Sequence, residues 1–311
     1  MEAIAQCIRP IYNFLISFKP TASLIKKAMG FAPERELPKL KPLRIPKQTI
    51  QSEKKVFFFL DEFTRNHEPE LAEAFIKLLH ALGYQVEIPN LLESGRAAIS
   101  KGCLKRAKKI AKENVKRLSS LFNVQCSTVN VVGLEPSTIL TFRDEYPDLV
   151  PAEMRDEAKE LGRHCLLFDE FLLQEIKTGH ISSDSFDQSP IEIFLHGHCH
   201  QKALVGVEVM AEVLRQLLNA KVNVIPSGCC GMAGSFGFEK EHYKTSITIG
   251  EMVLFPKIRE IENGKWTMNN VHPTFVAAPG TSCRQQILDG TGVKAVHPIE
   301  ILSKWIKMDI V

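Results

Sequence analysis

From Val56 onward the chain alternates between short continuous apolar runs and segments whose apolar residues recur at helical spacing. VFFFL (residues 56–60) is followed by Leu71, Phe75, Leu78 and Leu82 at i, i+4, i+7 and i+11, then by YQVEIP, which predicts a βαβ unit. IEIFL (residues 191–195) leads into a helix predicted to carry Ala203, Val207, Met210, Leu214 and Leu217 on one face, and then into VNVIP. Runs without polar alternation suit strands covered on both faces, as in parallel sheets. Before Val56 the pattern differs: two short helical segments precede FAPERELPKLKPLRIPKQ, whose prolines cannot build a core of their own.

The second unit echoes the first. VNVVGLEPST pairs with TFVAAPGTSC, and residues 162–176 align without a gap on residues 292–306, matching Gly162/Gly292, Glu170/Glu300, Leu172/Leu302 and Ile176/Ile306. The offsets are 195 − 60 = 135, 283 − 138 = 145 and 292 − 162 = 130, too long for a solenoid, whose periods run about 20–50 residues. The expected fold is therefore α/β, with two pseudo-repeated βαβ lobes on mostly parallel sheets and an N-terminal helical, proline-rich arm. The expected division is an arm at 1–48, a first lobe at 49–182 and a second at 183–311, joined near GHISSDSFDQSP. The arm reads either as a surface-packed extension or as the remnant of a connection to an upstream domain or partner.

Composition narrows the class. At 311 residues with 44% hydrophobic and 24% charged positions, the chain can bury the cores of about two domains. The net charge of +3 is unevenly spread: residues 1–55 hold 11 basic and 4 acidic side chains, or +7, leaving 3 − 7 = −4 for the rest. That places the basic excess in the arm, without the reading element that nucleic-acid binding needs. No apolar run is long enough for a membrane span, and the start shows no export signal, so a cytoplasmic location is expected. In a reducing compartment, eight cysteines favour metal or redox chemistry over structural disulfides.

The chemistry gathers in the second lobe, in HGHCHQK (Cys199), PSGCCGMAGSFG (Cys229 and Cys230) and PGTSCRQQ (Cys283). Each segment follows a predicted strand, and the carboxyl ends of parallel strands meet along one edge, so four thiols can converge. Buried packing is the alternative, but adjacent thiols at a glycine turn with neighbours on two other strand ends favour metal ligation. Soft sulfur selects iron–sulfur clusters or zinc. Zinc sites usually use Cys-x(2–4)-Cys knuckles, which the vicinal pair fits poorly, and that pair would close only a strained disulfide ring.

GCCGMAGSFGFEKEHY and GTSCRQQI resemble the cysteine-rich CCG domain found in heterodisulfide reductase and in the iron–sulfur subunits of glycolate and lactate oxidases. LDEFTRNHEPE, SGRAAISKG, GLEPSTILTFRDEYPDL and LHGHCHQKAL resemble the C-terminal part of FAD-linked oxidases fused to iron–sulfur oxidoreductase domains. The resemblance runs from about Ala32 onward. It implies an electron-transfer component rather than a complete enzyme, which receives electrons from flavin oxidation of a 2-hydroxy acid. It also implies a four-iron four-sulfur cluster on Cys199, Cys229, Cys230 and Cys283, with FAD only on a partner or upstream domain. The expected partners are an FAD-linked oxidase and a ferredoxin-type domain or subunit, with peripheral association to an electron acceptor. Some CCG domains carry a cysteine three positions before the last ligand, where this chain has Gly280, which favours the four-thiolate site. A zinc-stapled or metal-free scaffold that docks a partner is the alternative.

The first-lobe positions equivalent to the four cysteines are Thr64, Glu93, Ser94 and Thr138, none of them a soft ligand, so that lobe is expected to be metal-free and to cover the cluster or hold a partner. Cys7, Cys103, Cys126 and Cys165 fall outside the pattern and are read as core filling. Gly228, Gly231 and Gly234, with Gly237, are read as letting backbone N–H groups approach the cluster, and Arg284 as balancing its charge or lying at the surface. His196, His198 and His200 in an extended segment would put three imidazoles opposite Cys199, as neighbours rather than ligands. Arg143, Asp144 and Glu145 are read as structural.

Overall fold

A computed structural model describes residues 2–46, 51–125, 129–265 and 272–307. It contains two parallel sheets. In the first, β1 (Lys55–Phe58), β2 (Gln85–Glu87), β3 (Val131–Gly133) and β4 (Cys165–Leu167) lie in the order β2-β1-β3-β4. In the second, β5 (Ile191–Leu195), β6 (Ala220–Val224) and β7 (Thr274–Ala277) lie in the order β6-β5-β7. Each sheet thus has its first strand flanked by its second and third. A fourth position in the second sheet is marked only by a parallel bridge from Ala277 to Val296.

The run VFFFL is continuous because both faces of the first sheet are covered, whereas in the second sheet Glu192 and Phe194 are half-buried between the buried Ile191, Ile193 and Leu195. Val56, Phe58 and Leu60 face a core shared by the two sheets, whereas Phe57 and Phe59 face a separate core under the helices Leu104–Gln125 and Arg155–Arg163. Ile191, Ile193 and Leu195 enter the same shared core from the other side. The helix Pro69–Ala81 packs on Pro298–Trp305, and Phe168–Lys177 packs on Glu208–Leu217. The joining stretch belongs to this interface, with Ile181 and Phe186 buried in it. The two sheets with their helices, the lobes below, are therefore held by one apolar interior.

The aligned segments behave alike at their helix starts. Glu170 accepts the N–H of Leu167 at 3.0 Å and Glu300 accepts that of His297 at 2.7 Å, each satisfying a donor the helix leaves unpaired. The helix expected across Ala203 to Leu217 is instead two, Cys199–Leu204 and Glu208–Leu217. Gly206, at φ 94°, breaks it and leaves Ala203 exposed.

The arm does more than cover a surface. After the helices Glu2–Ser17 and Lys19–Met29, Phe31 bridges Glu239 and the N–H of Ala32 donates to Phe238 O at 2.7 Å. Arg35 is completely buried in the second lobe: it pairs with Asp289 at 2.5 Å and donates to Gly237 O and Ser246 Oγ. Further on, Lys41 N–H donates to Asn66 O of the first lobe. A segment without its own core is thus ordered by the cores of both lobes.

Candidate metal centre

Three strand ends deliver the cysteines to one place. Cys199 begins the helix after β5, Cys229 and Cys230 lie in the loop after β6, and Cys283 lies in the first turn of Thr281–Thr291 after β7. Cys199 Sγ meets Cys229 Sγ, Cys229 meets Cys230, and Cys230 meets Cys283, each pair in hydrogen-bonding contact. Burial grades across the group: Cys283 and Cys230 are buried, Cys229 is partly covered and Cys199 is exposed. The site has an inner end in the core and an outer end at the surface.

The sulfurs polarise one another. Hydrogen bonds from Cys199 and Cys230 hold Cys229 far below the ordinary thiol value, at about 2. A hydrogen bond from Cys230 likewise drives Cys283 down against the opposing effect of burial, with His196 and His198 helping. Cys199 and Cys230 are pushed up as the donors of those bonds. Sulfurs that share protons in this way are ligands a soft metal ion can take up in their place.

The glycine-rich loop shapes this pocket through its backbone. Gly231 N–H donates to Cys229 Sγ at 3.3 Å, and its φ of 95° is one an L side chain rarely adopts. A Cβ there would also sit 2.2 Å from Ser246 O. Gly234, at φ 65°, and Gly228 have open space where a side chain would go. Lys202 clamps the loop from outside by donating to Ser227 O and Gly228 O. From beneath, Arg35 and Gln286 both donate to Ser246, so the arm braces the vicinal cysteines.

The three histidines do not share a face, because the strand ends at Leu195 and the chain turns into a helix at Cys199. His196 is fully buried; its Nδ1 lies 2.7 Å from Ser227 Oγ and its ring also bears on Cys283, which it helps hold down. The ligating atoms of His196, Cys230 and Cys283 all lie within 4.8 Å of one another. Sequence spacing gave no sign that His196 turns inward. His198 caps its helix by accepting the N–H of His200, and His200 reaches Asp144 of the first lobe at 3.3 Å.

The first lobe also contributes to the site. Glu135 accepts the N–H of Thr281 at 2.7 Å and lies 3.9 Å from His198 Nε2. Glu68 accepts from Thr281 Oγ1 and pairs with Arg284. Arg284 is buried, not at the surface, and its donors go to Glu68, Ala278 O and Pro279 O. Its guanidinium joins the lobes behind Cys283. Glu135 was legible only as the acidic residue in GLEPST; that it crosses to the other lobe was not. Arg143 pairs with Glu170 as a structural residue, but Asp144 and Glu145 face the rim, Glu145 pairing with Arg96.

Of the other cysteines, Cys165 fills the core, and burial pushes its thiol up to about 12. Cys103 is exposed rather than buried, because it stands just before a surface helix. Cys126 and the side chain of Cys7 lie outside the described residues.

No protein-family model matches the chain. It is 27% identical over 312 residues to one of the subunits of the anaerobic glycerol-3-phosphate dehydrogenase of Escherichia coli K12, covering 98% of this chain and 74% of that protein. It is 28% identical to the D-2-hydroxyglutarate dehydrogenase of Escherichia coli K12 over 83% of this chain and 23% of that protein. The corresponding enzyme of Pseudomonas putida is 28% identical over 98% of this chain and 27% of its own length. The similarity therefore covers the chain and connects it with dehydrogenases, in one case with a single component and in the others with about a quarter of a longer polypeptide. Among the described residues no helix is long and apolar enough to cross a membrane.

Proposed function

We propose that the chain is the iron–sulfur electron-transfer module of a flavin-dependent dehydrogenase, with a four-iron four-sulfur cluster held by Cys199, Cys229, Cys230 and Cys283 as in a CCG domain. The supporting observation is the gathering of four sulfurs from three strand ends into one site. The donor set fits: soft ligands, a backbone N–H aimed at sulfur, and a buried imidazole beside the inner sulfurs. When bound, such a cluster supplies one-electron redox chemistry.

The chain's own residues hold and insulate the site. Cys230 and Cys283 close its inner end, Gly231 N–H stabilises negative charge on Cys229, and Glu135, Glu68 and Arg284 seal the first lobe over it. The exposed Cys199 marks where electrons enter or leave. The related dehydrogenases are named for glycerol-3-phosphate and D-2-hydroxyglutarate, both secondary alcohols. In this reading an FAD-bearing partner removes two electrons and two protons from a 2-hydroxy acid or similar alcohol, and this module passes the electrons on. The lobes 49–182 and 183–311 descend from one duplicated unit of which only the second kept its thiols, and the arm at 1–48 ties them together.

The close triangle of His196, Cys230 and Cys283 favours a second reading, a single zinc ion on those three residues. Iron, zinc and acid-labile sulfide analysis of anaerobically purified protein separates the two. About four iron and four sulfide per chain supports the cluster. Zinc without sulfide overturns it, and loss of that zinc in His196→Ala establishes the second reading.

A further inference from the structure

The charge count by halves conceals a local excess. The helix Leu104–Gln125 carries seven basic residues, Lys105, Arg106, Lys108, Lys109, Lys112, Lys116 and Arg117, against one acidic residue, Glu113. Arg106 pairs with Glu93 and Arg117 with Glu113. Lys105, Lys108, Lys109, Lys112 and Lys116 are exposed and form no ion pair among the described residues. Lys105, Lys109, Lys112 and Lys116 are spaced i, i+4, i+7 and i+11, so they make one ridge about 16 Å long. Ala107, Ile110, Ala111, Val115 and Leu118 are buried on the opposite side. The fold uses the buried side; crowding like charges on the other weakens the helix, so folding does not explain it.

The helix that carries the ridge connects toward the thiol site through a chain of ion pairs. Arg106 at its head holds Glu93, Arg96 holds Glu145, and the neighbouring Asp144 meets His200, the residue after the exposed Cys199. Just before the helix, Lys101 crosses to Glu239 beyond the glycine-rich loop. We infer that this lysine ridge is the docking surface for an acidic electron-carrier protein, which it steers to the Cys199 edge. The inference rests on the electron-transfer reading for its purpose, but not for the binding itself. A bilayer is disfavoured because an interfacial helix must expose an apolar face, and here that face lies in the core. Nucleic acid is disfavoured because no element beside the ridge could read bases.

The test titrates full-length, anaerobically purified protein with an acidic plant-type [2Fe–2S] ferredoxin by calorimetry. The expected binding weakens roughly tenfold or more between about 20 mM and about 300 mM salt. Reversing Lys105, Lys109, Lys112 and Lys116 to Glu is expected to weaken it by at least about tenfold at low salt, and exchanging them for Gln by less. Lys26→Glu with Lys27→Glu, in the arm, should leave it within about twofold. Circular dichroism confirms that each variant is folded. The inference is overturned if the folded ridge variants bind as before, if the arm variant loses as much, or if phosphatidylcholine/phosphatidylglycerol vesicles or duplex DNA compete for the same lysines. Ridge-dependent ferredoxin binding by protein that contains neither iron nor sulfide would leave the docking surface standing and remove the electron-transfer reading.

Discussion

The two lobes carry different chemistry at positions that the sequence alignment pairs. At the strand ends of the second lobe stand Cys199, Cys229, Cys230 and Cys283; at the matching positions of the first stand Thr64, Glu93, Ser94 and Thr138. Each first-lobe group is satisfied by a neighbour within its own lobe. Thr64 Oγ1 donates to Asp61 at 2.7 Å, Ser94 Oγ to Glu62 at 2.6 Å, Thr138 Oγ1 to Glu135 O at 2.8 Å, and Glu93 pairs with Arg106. The thiols find chiefly each other, and sulfur is a weak hydrogen-bonding partner. Hydroxyls and carboxylates close a crevice by themselves, whereas thiols in the same crevice remain available to a metal.

The comparison is broken most directly at its centre. Cys230→Ser is expected to abolish stoichiometric metal binding, measured by iron and sulfide content, while Thr138→Ala in the first lobe leaves it unchanged. Next comes the arm, which braces one lobe's loop only. Arg35→Ala strands Asp289 and removes the support of Ser246, and should cost about 3–5 kcal/mol in urea unfolding, since one partner of a buried pair is lost. Lys41→Ala, on the first-lobe side, pairs with Glu70 at the surface and should cost under about 1 kcal/mol.

A third test uses the axis where the lobes meet. Glu135 of the first lobe, which the sequence alignment pairs with Gly280 of the second, lies against His198, as does Gly280. A Cβ on Gly280 would come within 2.5 Å of the His198 ring. Gly280→Ala should therefore destabilise by about 1–3 kcal/mol and Gly280→Cys by at least as much, which bears on why a fifth thiol is missing there. The smallest effect concerns protons. Burial raises Asp169, a first-lobe residue bound by Gln201 of the second, to about 7. The native state then holds a proton between about pH 4 and pH 7 that the unfolded chain has released, so stability falls as pH rises through that window. Asp169→Asn should flatten that fall by up to about 1.4 kcal/mol per pH unit, read from urea midpoints across the range. Asp61, raised to about 7 by burial in the same way, keeps its share of the slope.

Much of this was legible before any coordinates. The continuous apolar run VFFFL specifies a strand buried on both faces, and the matched residues of 162–176 and 292–306, Glu170 and Glu300 among them, stand at helix starts that are alike. The position of each cysteine directly after a strand placed the four thiols at one sheet edge, because parallel strands end together. Those are local signals, set by spacing along the chain. What spacing could not carry was direction across the chain: that Arg35 enters the second lobe, that Arg284 turns from the thiols to Glu68, that His196 packs against the inner sulfurs, and that Arg106, at the head of the lysine-rich helix, pairs with Glu93. Each depends on which surfaces meet when two sheets close on a shared core, and that is an energy of packing over the whole molecule rather than of any one segment.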